Sequence, residues 1–126
     1  MTVRDIVQIG HPALRAPARP LTPGEVAAPG IQRLIDDLVD TMRAADGAGL
    51  AATQLGEGVQ VCVAEVRPGN PRYPYKPEIP LTVLVNPVVE PLTAETFANY
   101  EGCLSVPGLR GVVDRFVQVR VRALDR

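Results

Sequence analysis

Two short stretches of the 126-residue sequence hold residue types suited to chemistry. The first is Gly47-Ala48-Gly49-Leu50-Ala51-Ala52-Thr53-Gln54. Its glycines and alanines let main chain approach a ligand closely, and Gln54 ends the run with an amide that both donates and accepts. A helix C-terminus followed by a tight turn would use similar residues. Phosphate binding is poorly supported, because the lysine and hydroxyl spacing of a nucleotide loop is missing. The second stretch is Glu101-Gly102-Cys103-Leu104-Ser105. A cysteine beside glycine can expose its sulfur next to open backbone, as a nucleophile or a metal ligand requires. An isolated cysteine is more often a small buried apolar residue, and Cys62, set among valines, reads that way. His11 is the only histidine. Followed by Pro12, it is more readily a structural turn than a metal ligand.

These stretches need elements to hold them. Ile31, Leu34, Ile35, Leu38, Val39, Met42 and Ala45 recur at helical spacing, with Asp36, Asp37, Asp40 and Arg43 on the other face. That predicts an amphipathic helix of about 15 residues from Ile31, with Gly47 as its terminator. Thr22-Pro23-Gly24-Glu25 has the form of a capping box for a single turn, which Pro29-Gly30 interrupts. Val3 to Gly10 reads as a short extended segment. Val59 to Val66 is β-rich, Leu81 to Val85 is a short apolar strand closed by Asn86-Pro87, and Val117 to Ala123 alternates with Gln118, Arg120 and Arg122. This last pattern predicts a half-buried strand with a cationic outer face. Pro68, Pro71, Pro74, Pro77 and Pro80 recur every third residue, the repeat of polyproline II. A stiff surface link between strands is favoured over a docking ligand for a partner. One helix among several strands, without βαβ alternation, predicts an α+β fold with mainly antiparallel sheet.

The length suits one domain with one core. A net charge of −1 argues against binding nucleic acid through excess cations. Two cysteines make no disulfide framework, and neither a signal sequence nor an apolar membrane span is evident. A cytoplasmic setting without a membrane partner is expected.

Taken together and in order, Gly47–Gln54 and Glu101–Ser105 resemble the first two motifs of peptide deformylases. His11 to Arg15 and Arg110 to Arg126 are similar to the family's flanking stretches, so the resemblance spans nearly the whole chain. It implies hydrolysis of the N-formyl group from N-formylmethionyl nascent polypeptides, releasing formate, with the ribosome as the place where such chains are met. Cys103 would bind a divalent metal as thiolate, ferrous iron first and zinc as an alternative. Gln54 and the Leu104 main-chain N–H would stabilise the oxyanion. Ala48, Gly49 and Gly102 would lie beside the substrate and Arg110 at the cleft mouth. Glu101 and Arg115 would form a supporting ion pair.

The family's third motif, histidine-glutamate-x-x-histidine on a helix, has no counterpart here. Two metal ligands and the general base are therefore absent. The expectation is an incomplete single domain, with little activity alone and with the apolar faces of Ile31–Ala45 and of the final strand exposed. Two other readings compete. Cys103 could act as a nucleophile with His11 as base, or the chain could bind peptides without turning them over.

Overall fold

The computed structural model describes all 126 residues and has the expected α+β architecture. Four strands form one antiparallel sheet in the order β1 (Gly49–Ala51), β2 (Val61–Val66), β3 (Ile79–Pro91), β6 (Val119–Leu124). The other two, β4 (Thr96–Cys103) and β5 (Val106–Phe116), pair only with each other. No alternating pattern in the sequence announced β4.

The capping box forms a one-turn helix, α1 (Pro23–Val26). Thr22 Oγ1 accepts from Glu25 N, and Glu25 Oε1 accepts from Thr22 N, so two otherwise unpaired donors are satisfied reciprocally. The long helix α2 (Pro29–Ala44) begins two residues earlier than its apolar repeat suggests. Pro29-Gly30 starts it instead of interrupting, because proline at the first helical position loses no hydrogen bond. Its end also differs from expectation. Asp46, with φ of 53°, takes the left-handed position, and Gly47 N donates to Met42 O one residue later. This is a Schellman ending in which Gly47 follows the left-handed residue.

Leu34, Ile35, Leu38, Val39 and Met42 of α2 pack on Leu50, Val61, Val63, Val83 and Val85 of the sheet. The apolar face of α2 is therefore buried, contrary to the exposure expected for it. Glu65 also points inward, from β2. It is tolerated there because Arg43 of α2 grips both carboxylate oxygens at 2.8 Å.

Asn86-Pro87 does not close the third strand. The register shifts between Val85 and Val88, where β3 finishes pairing with β2 and takes up β6 on its other edge. A bulge accommodates the proline there, and Asn86 adopts a φ of 52°. Its side chain exchanges two hydrogen bonds with the main chain of Leu21.

The proline repeat also resolves differently. Asn70 N donates to Arg67 O, Tyr73 N to Asn70 O, and Lys76 N to Tyr73 O. These are three consecutive β-turns sharing their corner residues, with Pro68, Pro71 and Pro74 each at the second position. Polyproline II has no internal hydrogen bonds, so the spacing of three here is the repeat of linked turns. The segment does connect β2 to β3.

The final strand is exposed on both faces, as expected for its apolar face without a covering helix, although its alternation alone predicted one buried face. Val119 and Val121 are each 44 % exposed, and Val88 on the neighbouring strand is 61 % exposed. Val3 to Gly10 is extended but joins no ladder. It ties elements together through single bonds, such as Arg4 N to Thr41 Oγ1 and Val7 N to Gln54 O.

Candidate active site

The β4–β5 hairpin turns through Leu104 and Ser105, which places Cys103 opposite Val106 at its tip. Gly102 pairs with Arg110, so β5 carries extra residues between Val106 and Arg110, and Gly108 there has φ of 77°. The tip is fastened to the body of the protein. Ile9 N donates to Ser105 O at 2.9 Å, and the Leu104 side chain packs on the edge of the core. Gly47 is needed for that packing. A Cβ on it would lie 2.7 Å from Leu104 Cδ1, closer than side chains approach.

Gln54 stands in a 3-10 turn, Ala52–Leu55, directly after β1. Its Oε1 accepts from Ala51 N at 3.0 Å. With the oxygen engaged, the amide nitrogen faces the hairpin tip. Nε2 lies 3.1 Å from Ser105 Oγ and 3.7 Å from Cys103 Sγ. The two motifs therefore meet through one side chain. Leu104 N–H has no acceptor within the chain. An exposed sulfur thus has two hydrogen-bond donors nearby, one a side-chain amide and one main chain.

The other predicted residues fall around this point. β1 is an edge strand, and Gly49 lies exposed on it. Ala48 O accepts from Glu65 N, extending the β1–β2 ladder by one bond. Glu101 is held by Arg115 Nε at 2.7 Å and by Asn99 Nδ2 at 2.9 Å. The Arg115 guanidinium, with help from Asn99, lowers its carboxyl from 4.5 to about 2. This pair braces β4 against β5 and makes no hydrogen bond to Cys103. Arg110 lies over the Gly102 backbone, its guanidinium 6.0 Å from the Tyr100 ring.

His11 caps the 3-10 turn Pro12–Leu14, its Nδ1 accepting from Ala13 N at 3.0 Å. Cys62 is half-buried in β2, and burial raises its thiol pKa. Sequence reasoning missed Asn99, which has no periodic or motif signal. It assigned no role to Ser105, although that residue is buried and shares the Gln54 amide.

The sequence model describing polypeptide deformylases matches residues 3–126. The chain belongs to that family. It is 42% identical over 123 residues to peptide deformylase 1 of Nitrosomonas europaea, covering 98% of this chain and 68% of that protein. Against peptide deformylase 2 of Ralstonia nicotianae the identity is 44%, over 98% and 68% of the two chains. A class I type b peptide deformylase from Acinetobacter baumannii superposes with a TM-score of 0.92 at 34% identity, covering 99% of this chain and 78% of that one. Its Met-Ala-Ser-bound form gives 0.90 at 35%, covering 98% of this chain and 77% of that one.

Peptide deformylases are metal-dependent hydrolases. In this chain no three His, Cys, Asp or Glu side chains come together in a way that could hold an ion. Cys103 is a suitable thiolate donor, but one donor does not make a site that normally uses three. These residues fit one corner of a coordination shell. They do not fit the whole of it.

Proposed function

We propose that these residues form the peptide-binding and oxyanion-stabilising part of a hydrolase site that removes formyl groups from N-formylmethionyl peptides. The orientation of Gln54 carries this reading. Ala51 N occupies the amide oxygen, which leaves Nε2 as a fixed donor beside Cys103. Together with Leu104 N–H, it could hold the carbonyl oxygen of a formyl group while negative charge develops on it. Donors fixed in advance, with no reorganisation during reaction, each contribute about 3 kcal/mol in such sites.

Cys103 would serve as a thiolate donor to a divalent metal, with ferrous iron favoured over zinc. The exposed edge of β1 at Gly49 offers backbone groups to an extended peptide, and Ala48 and Gly102 would lie beside that peptide. Glu101 and Arg115 would hold the hairpin in shape for this purpose. Substrates would be nascent chains in the cytoplasm.

The 126-residue chain alone should turn over little substrate, because it supplies one metal donor and no histidine near it. The test is metal analysis of the purified protein together with formate release from a formyl-methionyl peptide. Near-stoichiometric, tightly bound metal with rapid formate release would refute this proposal. A cysteine-nucleophile mechanism gains no support from His11, whose Nδ1 is occupied by Ala13 N. Peptide binding without turnover is the stronger alternative, since the free β1 edge requires no metal. Calorimetry with formylated and unformylated peptides separates it from the hydrolase reading.

A further inference from the structure

Arg72 and Arg110 come from distant parts of the chain and converge on Gly102, next to Cys103. A Cβ at Gly102 would lie 3.5 Å from Arg110 Nε and 3.6 Å from one terminal nitrogen of Arg72. Arg110 reaches this point because it is the cross-strand partner of Gly102, which has no side chain to block it. Arg72 reaches it from the chain of proline turns.

That segment is anchored. Asn70 Nδ2 donates to Asp46 O at the end of α2, and Asn70 Oδ1 accepts from Arg72 N. Each guanidinium also rests near a tyrosine ring, Arg72 at 5.8 Å from Tyr73 and Arg110 at 6.0 Å from Tyr100. Neither takes part in any of the ion pairs, which use Arg4, Arg19, Arg43, Arg67, Arg115, Arg120 and Arg126. Glu101, the neighbour of Gly102 in the chain, is already taken by Arg115. Two like charges are thus held together, one of them half-buried, and neither is paired with a carboxylate of the chain. Their mutual repulsion favours an anionic ligand, and planar guanidiniums suit a carboxylate.

We propose that Arg72 and Arg110 form a carboxylate-binding subsite beside Cys103 that selects peptides bearing an acidic group within a few residues of their N-terminus. This rests on the peptide-site reading above and adds a preference to it. The carboxylate can be an Asp or Glu side chain or the C-terminus of a short peptide. Both present the same group.

The experiment measures binding to the purified chain by calorimetry at low and moderate salt. The ligands are formyl-Met-Ala-Ser amide, formyl-Met-Ala-Glu amide, formyl-Met-Ala-Ser with a free C-terminus, and acetyl-Ala-Ala-Glu amide. The glutamyl peptide should bind about five- to tenfold more tightly than the neutral amide, an advantage reduced by salt. The free C-terminal peptide should share that advantage only if a terminal carboxylate reaches the pair. Arg72→Gln should abolish the discrimination between acidic and neutral peptides, and Arg72→Lys should restore part of it. Equal affinities for neutral and acidic formyl peptides would overturn the proposal and leave the formyl-peptide site standing. Tight binding of acetyl-Ala-Ala-Glu amide equal to its formyl counterpart would support the subsite and count against the deformylase reading. Absence of binding by every peptide would overturn both.

Discussion

The α2–β1–β2–β3 body and the β4–β5–β6 portion are built on different physics. In the body, Ile35, Leu38, Met42 and Val85 are fully buried, and one continuous cluster joins the helix to the sheet. In the other portion, Phe97, Tyr100, Val112, Phe116, Val119 and Val121 are all exposed. The body is held by apolar burial. The hairpin is held by its own ladder, by the Glu101–Arg115 brace and by a few bonds at its tip. The candidate site lies on the seam between them, with Gln54 from the body and Cys103 from the hairpin. Its geometry therefore depends on the less well-buried partner.

The contrast breaks most sharply under truncation of side chains. Leu38→Ala should cost about 2–5 kcal/mol in denaturant unfolding, because it opens a cavity in a fully buried cluster. Val121→Ala on β6 should cost less than about 1 kcal/mol. Similar losses at the two positions would show that the exposed strand is covered in solution.

Arg43→Met should be next, at about 2 kcal/mol, since it leaves the nearly buried Glu65 carboxylate with only the longer Arg67 contact at 3.7 Å. The figure is set below that of a fully buried pair because Arg43 is itself partly exposed. Glu65 is held below its ordinary carboxylate range by Arg43. Its pairing therefore stabilises the fold at neutral pH and is lost as pH falls through the lowered value. The Arg43→Met protein should show a weaker acid-side decline in stability than the parent, measured by unfolding at several pH values.

Gly47→Ala tests the seam. The new Cβ pushes Leu104 aside, for about 1 kcal/mol of stability. It should also perturb the hairpin tip far more than the body, read as hydrogen-exchange protection at Ile9, whose N–H bonds to Ser105 O, against that at Val63. Equal loosening of both would mean that the tip is part of the core's cooperative unit.

The smallest effect should come from Glu101→Gln, under about 1 kcal/mol at neutral pH because the partner arginine is exposed. Its signature is the pH window. The depressed carboxyl contributes stability above 4.5 and loses it as pH falls towards about 2. Hairpin probes in the parent should therefore shift over that range and those in the variant should not.

Much of the body was legible along the chain. The capping box at Thr22–Glu25 and the apolar face of α2 are short-range patterns, and both formed as read. Boundaries were less legible. Pro29-Gly30 resembled a break because proline is permitted at a helix start as readily as beyond an end. Asn86-Pro87 resembled a strand end because a bulge and a terminus use the same residues. The proline repeat of three fitted polyproline II and linked turns equally well, and only the hydrogen bonds at Asn70, Tyr73 and Lys76 distinguish them. Strand β4 is not legible in the sequence, because Thr96 to Gly102 has no alternation when neither face is buried.

By itself, the sequence determined the residue types at the site, the family that Gly47–Gln54 and Glu101–Ser105 point to, and the lack of any histidine besides His11. These are properties of composition and local order. Tertiary structure decided that Gln54 donates from its nitrogen, since Ala51 N claims its oxygen, and that Gly47 is small because Leu104 lies against it. It also brought Arg72 to Gly102 by way of three turns. Each of these depends on groups far apart in the chain, and local periodicity carries no information about which distant atoms will meet.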